Sequence, residues 1–143
     1  AARILSRQFG KLRKASGSLA ALPDRVRHKL RIEVKKMRYA AEFLSPLYQN
    51  NVDSRSERRF RRSLTQLQDC LGELNDLAVA GTPPPALLAG RDPLTAARMA
   101  AEFDGLLGHH HGKIRRRLLR SAQRALDELV TGPAWWKQAR DLP

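Results

Sequence analysis

The residues best suited to chemistry are cations that recur at helical spacing in one stretch, RHKLRIEVKKMRY, residues 27–39. On a helix with 100° per residue, four basic side chains fall within a sector of about 80°, opposite the apolar residues. These four are His28, Arg31, Lys35 and Arg38, with Tyr39 at the edge of their row. Neighbouring cations repel one another, and their N–H groups are strong donors to anionic oxygens. The row therefore predicts a surface that binds an anion.

Three further segments place basic residues in rows at spacings of three and four. Taken singly, such a row is most often ordinary solvated helix surface. Acidic residues are absent from residues 1–20 and 112–124, so few ion pairs at helical spacing can neutralise these rows. We expect the rows to converge on one side of the molecule as a basic groove. The further rows are Arg7, Lys11 and Lys14; Arg55, Arg58 and Arg62; and Lys113, Arg117, Arg120 and Arg124.

The whole chain has the same bias toward cations. Its 143 residues, about one domain, include 27 Lys and Arg against 14 Asp and Glu, a formal net charge of +13 at pH 7. Such an excess costs the folded chain self-repulsion unless an acidic partner offsets it. The composition favours nucleic acid, an acidic membrane surface or a phosphate polymer as the partner and does not choose among them.

Other residue types suggest chemistry more weakly. The carboxylates of Asp69, Glu73 and Asp76 share one helix face and could hold a divalent metal, but bracing of neighbouring arginines is the favoured interpretation. Residues 109–111 are three adjacent histidines, which a helix would point 100° apart, so an exposed loop or kink is favoured over a metal site. Cys70 lies among leucines, which favours a buried structural thiol over a catalytic one.

Four helices must position these residues. Apolar residues at spacings of three and four predict the first helix from Arg3 to Ala20 and the second from Asp24 to Tyr48. The third is predicted to begin at Ser54, where Ser54 and Glu57 have the spacing of a capping box. It ends before a Pro-rich linker, residues 80–92, that cannot continue a helix.

The fourth helix is predicted from Asp92 and Pro93 to Thr131, with a kink or division at GHHHG, residues 108–112. No segment alternates as a strand would, so the fold class is all-α, an antiparallel four-helix bundle with long helices. Trp135 and Trp136 should cover the end of the bundle with apolar area. No apolar run approaches the roughly 18 residues that span a bilayer, and no signal-peptide pattern opens the sequence, so we expect a cytoplasmic protein without a membrane partner.

Two motifs resemble those of the CHAD domain, the conserved histidine α-helical domain. RHKLRIEVKKMRYAAEFLSPLY, residues 27–48, has the family's histidine, then Arg or Lys at +3, +7, +8 and +10, then tyrosine. LQDCLGELNDLAVA, residues 67–80, resembles the next element, with Leu71, Gly72 and Asp76 in order. The basic last helix and the Trp pair resemble the ending of the family.

The resemblance implies a domain that binds inorganic polyphosphate in a basic cavity and is not an enzyme. Only one motif is present, so the chain is similar to a single four-helix half, of the C-terminal kind. The other half or a second copy of the chain would then complete the cavity, and association with polyphosphate granules is left open. The expected binding residues are His28, Arg31, Lys35, Lys36, Arg38, Tyr39, Arg7, Lys11, Lys14, Arg58, Arg62, Lys113, Arg117, Arg120 and Arg124.

No metal, cofactor or catalytic residue is expected, and two alternatives stay open. A nucleic-acid-binding helical module would use the same cations, although the sequence lacks a recognition-helix motif and interleaved aromatic residues. A phosphohydrolase or another polyphosphate-metabolising enzyme would need metal-holding carboxylates beside the cations, a phosphate-binding glycine loop or an activated nucleophile. The sequence shows no such set.

Overall fold

In a computed structural model that describes residues 1–15, 17–48 and 53–137, the chain forms four long helices and one short helical turn. The long helices are α1 (Ala2–Lys14), α2 (Asp24–Leu44), α3 (Ser54–Ala80) and α5 (Pro93–Thr131), and α4 is the single turn Pro85–Leu88. Short 3-10 turns lie at Leu19–Ala21, Ser45–Tyr48 and Trp135–Lys137. The described residues contain no strand, so the all-α prediction is confirmed.

The first helix is shorter than its apolar spacing predicted. It ends at Lys14 and not at Ala20, and Ser16, within the predicted helix, lies outside the described residues. The backbone is extended at Ser18, and the N–H of Leu19 donates to Oε1 of Gln123 at 2.8 Å. Leu19 is therefore buried from a 3-10 turn, which satisfies the same apolar spacing without a continuous helix.

The second helix ends at Leu44, and the predicted last turn to Tyr48 is a 3-10 turn instead. Pro46 explains the change, because a proline has no N–H with which to continue the α-helical hydrogen bonds. Tyr48 still reaches the core, with 2% of its surface exposed. The tighter turn thus buries the residue at which the predicted helix ended.

The third helix begins at Ser54 as predicted, but its cap is a different residue. The carboxylate of Asp53 accepts hydrogen bonds from the backbone N–H groups of Arg55 and Ser56, at 3.0 and 3.2 Å. Glu57 accepts a hydrogen bond from the hydroxyl of Ser45, at the end of α2. The predicted capping box of Ser54 and Glu57 is therefore wrong, because Asp53 provides a better acceptor one residue earlier.

The last helix is continuous through its glycines and histidines. Asp92 caps it by accepting from the backbone N–H groups of Leu94 and Thr95, as the sequence predicted. The predicted kink at residues 108–112 is wrong, and the histidines lie on a helix. A glycine costs a helix interior only about 1 kcal/mol relative to alanine, too little to break a helix that packs along α3. The Pro-rich residues before it contain α4 and Gly90, whose φ of 70° suits glycine.

The core is a set of leucines closed at one end by aromatic rings. Trp135 and Trp136 are 0% and 1% exposed, and their rings pack edge to face at 5.5 Å. Trp136 also packs against Phe9 and Phe60, and Trp135 against Tyr48, at ring distances of 5.3 to 5.4 Å. The prediction that the tryptophans cover the helical core is confirmed.

The long helices pack in chain order: α1 contacts α2, α2 contacts α3, and α3 contacts α5. Cys70 is buried in α3, as predicted. Among the helices described, none combines the length and the apolar character needed to cross a membrane. The central position of α3 brings two other helices to its two flanks.

Candidate functional site

The basic row of α2 lies along the flank that packs against α3. Nδ1 of His28 is 3.1 Å from the side-chain oxygen of Asn75. Nε of Arg31 lies 3.7 Å from the point that a Cβ on Gly72 would occupy. The missing side chain at Gly72 lets the Arg31 guanidinium approach the α3 backbone. Two predicted binding residues thus meet the α3 segment whose sequence also carries the family resemblance.

Arg31 and Arg38 carry polar atoms whose hydrogen-bonding capacity is unused. The Nε atom of each is buried and has no hydrogen-bond partner in the part of the chain described. NH1 of Arg38 lies 3.8 Å from Oε1 of Glu42, beyond hydrogen-bond distance. A buried donor without an acceptor costs roughly 1–3 kcal/mol. An oxygen of a bound anion would supply the missing acceptor.

Tyr39 lies beside two cations of the row. Its ring centroid is 5.7 Å from Nζ of Lys35 and 5.2 Å from Cζ of Arg38, within cation–π range. The tyrosine is half exposed, so these contacts restrict the two cations without burying them. His28, Arg31, Lys35, Arg38 and Tyr39 are therefore brought together along one flank of α2.

Lys36 and Lys11 lie on the other flank of α2, at its contact with α1. Oε1 of Glu33 accepts from Lys36 at 3.0 Å, and Oε2 accepts from Lys11 at 3.1 Å. The side-chain amide of Gln8 also donates to Oε2, at 2.6 Å. Hydrogen bonds from Lys36, Gln8 and Lys11 lower the pKa of Glu33 to about 2. One carboxylate thus offsets part of the charge of these two predicted binding residues.

The other predicted rows stay exposed. Arg7 and Lys14 are exposed on α1, and Arg58 and Arg62 on α3. Arg62 borders an open hollow of about 470 Å³ on α3, together with Arg61 and Asp69. On α5, all four predicted cations are exposed: Lys113, Arg117, Arg120 and Arg124.

The α5 row and the α2 row belong to helices on different flanks of α3. Gln66 of α3 donates to the Ser121 hydroxyl at 3.0 Å, and Ser63 donates to Glu128 at 2.8 Å. Within residues 1–15, 17–48 and 53–137, no hydrogen bond or ion pair joins the α1 or α5 row to the cations of the α2 row. The observed contacts therefore bring the α2 row to α3 but do not bring all four rows together.

Sequence reasoning missed three polar residues. Arg27, inside the basic stretch, is 5% exposed and donates to the carbonyl oxygens of Leu19, at 2.9 Å, and Leu22. Its hydrogen bond to Asp24 lowers the pKa of that carboxyl, and the charge of Arg115 adds to the effect. Asn75 and Gln68 of α3 lie at helical spacing around Gly72, and Oε1 of Gln68 is buried without a partner among the described residues. Their position follows from packing, which local spacing does not encode.

The remaining candidates for metal chemistry are the carboxylates of α3 and the histidines of α5. Asp69, Glu73 and Asp76 are exposed, and none forms an ion pair with an arginine of the described chain, so the bracing interpretation is wrong. Histidines 109–111 lie within one turn of α5, with the rings of His110 and His111 6.2 Å apart. No group of three metal-binding side chains occurs among the residues the structure describes.

A family comparison covers the segment that carries this site. The family model described as the CHAD domain matches residues 1–82, which include α1, α2, α3 and the complete α2 row. Neither a curated protein nor a solved structure matches the chain. The matched segment is more than half of the 143 residues. The chain therefore belongs to the CHAD domain family.

Proposed function

We propose that this chain binds inorganic polyphosphate, without cleaving it, through the cation row on the α3 flank of α2. The observation that carries the proposal is the pair of buried Nε atoms of Arg31 and Arg38, which have no acceptor in the described structure. Membership of a family associated with polyphosphate binding supports the choice of anion. A polymer with one negative charge on each phosphate offers acceptors to several cations of one row at once.

Each residue type in the row has its own part in binding. Arg31 and Arg38 supply planar forks of N–H donors that match phosphate oxygens, and Lys35 supplies a compact charge. Tyr39 restricts Lys35 and Arg38 through its ring. His28 already uses Nδ1 at Asn75, so Nε2 is the ring nitrogen left to contact phosphate. Binding releases the counterions of the phosphates, which makes the affinity depend on salt.

The remaining predicted contacts extend this row within an antiparallel helical bundle. The pairing of α2 and α3 supports the antiparallel arrangement, because Ser45 bonds to Glu57 while His28 approaches Asn75. Along α2 the residue numbers fall as those of α3 rise. Lys36 and the cations of α1 and α3 contribute charge around the row, in a basic groove of which this chain supplies part.

A second CHAD half or a second copy of this chain completes the binding cavity in the cytoplasm. The outer face of α2 and of the 3-10 turn that follows it supports this part of the proposal. Phe43 is 82% exposed, Leu47 is 56% exposed, and Ile32 and Tyr39 expose at least two fifths of their surface beside the basic row. Contiguous exposed apolar patches often mark surfaces that bind other proteins.

The proposal is tested by removing the two arginines. We expect Arg31→Gln with Arg38→Gln to weaken polyphosphate binding at least about tenfold, because each charge-assisted hydrogen bond contributes roughly 1.5–3 kcal/mol. The matched control is Arg25→Gln with Lys29→Gln, which removes the same charge from exposed positions of the same helix. Affinities are measured by calorimetry at several salt concentrations. Equal losses in the two variants would show that only total charge matters.

Two further measurements separate this function from its alternatives. Duplex DNA and RNA should fail to displace polyphosphate at equal phosphate concentration and physiological salt, because the α2 row lacks groove-reading and stacking side chains. Incubation with polyphosphate, magnesium and nucleotide should release neither phosphate nor new nucleotide. Displacement would favour a nucleic-acid-binding module, and release would identify an enzyme.

A further inference from the structure

The exposed face of α5 carries a dense set of cations that the family match does not cover. This α5 cationic face consists of Lys113, Arg116, Arg117, Arg120 and Arg124, all exposed. The family match ends at residue 82, before α5 begins. No Asp or Glu occurs between residues 105 and 126, and none of the five cations forms an ion pair within the described chain. The face extends about 17 Å along the helix at 1.5 Å per residue.

The α5 cationic face points away from the packed side of its own helix. Leu118, Ala122 and Ala125 are buried in the core from the opposite side of the same turns. The α2 row differs, since Arg31 and Arg38 are partly buried and Arg31 lies against α3 at Gly72. α3 packs against α2 through Gly72 and Asn75 and against α5 through Ser63 and Gln66. The chain therefore has two cationic surfaces on different helices, which meet α3 at different positions. α2 and α5 also contact each other directly, at the ion pair between Asp24 and Arg115.

Two separate surfaces of one sign behave differently from one surface with the same total charge. Each can hold its own stretch of a polyanion, and a long polymer can hold many chains, so strands become cross-linked. Exposed cations are also screened by salt more strongly than partly buried ones. Cross-linking should thus disappear at a lower salt concentration than binding at the α2 row does.

We propose that the α5 cationic face is a second attachment surface, through which one chain bridges two polyphosphate strands and condenses the polymer. The inference rests on the proposed function, because the α2 row must hold the first strand. The α5 face would bind the second strand weakly and reversibly through charge. Bridging is then an activity of the whole chain that the matched segment alone does not have.

The experiment compares light scattering with binding. Wild-type protein mixed with long polyphosphate near charge balance should scatter strongly. Scattering should fall with excess polymer, because each strand then carries too few chains to form a network. The test variant carries Gln at Arg116, Arg117, Arg120 and Arg124. The control carries Gln at Arg3, Arg25, Lys29 and Arg91, which are exposed and remove the same charge. Affinity is measured separately with a short polyphosphate that spans one row.

We expect the α5 variant to scatter at least about fivefold less than the control, with affinities for the short polymer within about threefold of each other. Equal scattering in the two variants would overturn the proposal. So would an α5 variant that loses short-polymer affinity as strongly as the variant of Arg31 and Arg38, because the two surfaces would then form one site. Wild-type binding without scattering would overturn bridging alone, and absence of wild-type binding would overturn the proposed function as well.

Discussion

Arg27 and Arg31 are one helical turn apart in the same basic stretch, yet their surroundings give them different roles. Arg27 is 5% exposed, and its donors meet the carbonyl oxygens of Leu19 and Leu22 and the carboxylate of Asp24. These hydrogen bonds hold the 3-10 turn Leu19–Ala21 against the start of α2. Arg31 lies beside Gly72 with a buried Nε that has no acceptor in the described structure. A basic motif therefore mixes residues that hold the fold with residues that can hold a ligand.

Replacing each arginine by methionine should separate these roles. Arg27→Met should lower the free energy of unfolding by about 2–3 kcal/mol, because it leaves two carbonyl oxygens without their charged donor. The affinity of the folded protein for polyphosphate should stay unchanged. Arg31→Met should do the opposite, keeping stability and losing affinity, since it removes an unsatisfied donor. Urea unfolding and calorimetry measure the two quantities. A stability loss at Arg31 as large as that at Arg27 would contradict the assignment.

At the scale of elements, the contact of α1 with α2 is organised around one carboxylate. Glu33 accepts from Lys36, Gln8 and Lys11, and these hydrogen bonds lower its pKa from 4.5 to about 2. A carboxyl whose pKa is lowered by folding stabilises the fold while the pH is above the unfolded value. That stabilisation is present above about pH 4.5 and is lost as the pH falls toward 2. The contact between α1 and α2 should therefore weaken in acid.

Glu33→Gln tests the contact between these helices. At pH 7 the variant should be less stable by about 1 kcal/mol, the size expected for a small solvent-accessible ion-pair network. Between pH 4.5 and 2 the variant should lose less stability than the wild type, because it lacks the titrating carboxyl. Urea unfolding across this range measures both effects. Asp76→Asn is the control, since it removes a negative charge without removing an ion pair of the described chain. Parallel pH profiles for Glu33→Gln and the wild type would refute the linkage.

The same elements show how far the sequence could predict the structure. Local signals placed the starts of α3 and α5 correctly, because apolar spacing and capping groups act within a few residues. Lys36 is a local partner of Glu33, but Lys11 and Gln8 lie 22 and 25 residues away on another helix, so no local pattern reveals them. The end of α1 and the unbroken course of α5 likewise depend on packing, through Gln123 and along α3. The α2 row was visible from spacing, whereas its contact with Gly72 and Asn75 was not.

At the scale of the whole molecule, a net charge of +13 disfavours the association of two copies, whereas an apolar outer face on α2 and the turn after it favours association. The face consists of Ile32, Tyr39 and Phe43 of α2 and Leu47 of the 3-10 turn that follows it, which are 40%, 49%, 82% and 56% exposed. With roughly 200 Å² for each large side chain, it offers about 450 Å². A stable interface buries about 800 Å² on each partner. Two copies that repel one another thus cannot remain paired on this face alone, but a polyanion between their basic rows would remove the repulsion.

We therefore expect the chain to be monomeric at micromolar concentration and to pair when a short polyphosphate is added, as measured by analytical ultracentrifugation. Phe43→Ser with Leu47→Ser should abolish pairing and leave one polymer bound per chain, because the basic row is unchanged. The control is Leu94→Ser with Leu106→Ser, which removes side chains that are 81% and 82% exposed on α5. It should pair like the wild type. Pairing that survives the α2 substitutions, or that fails equally in both variants, would show that the second copy does not dock on α2. In that case the polymer alone would hold the two chains together.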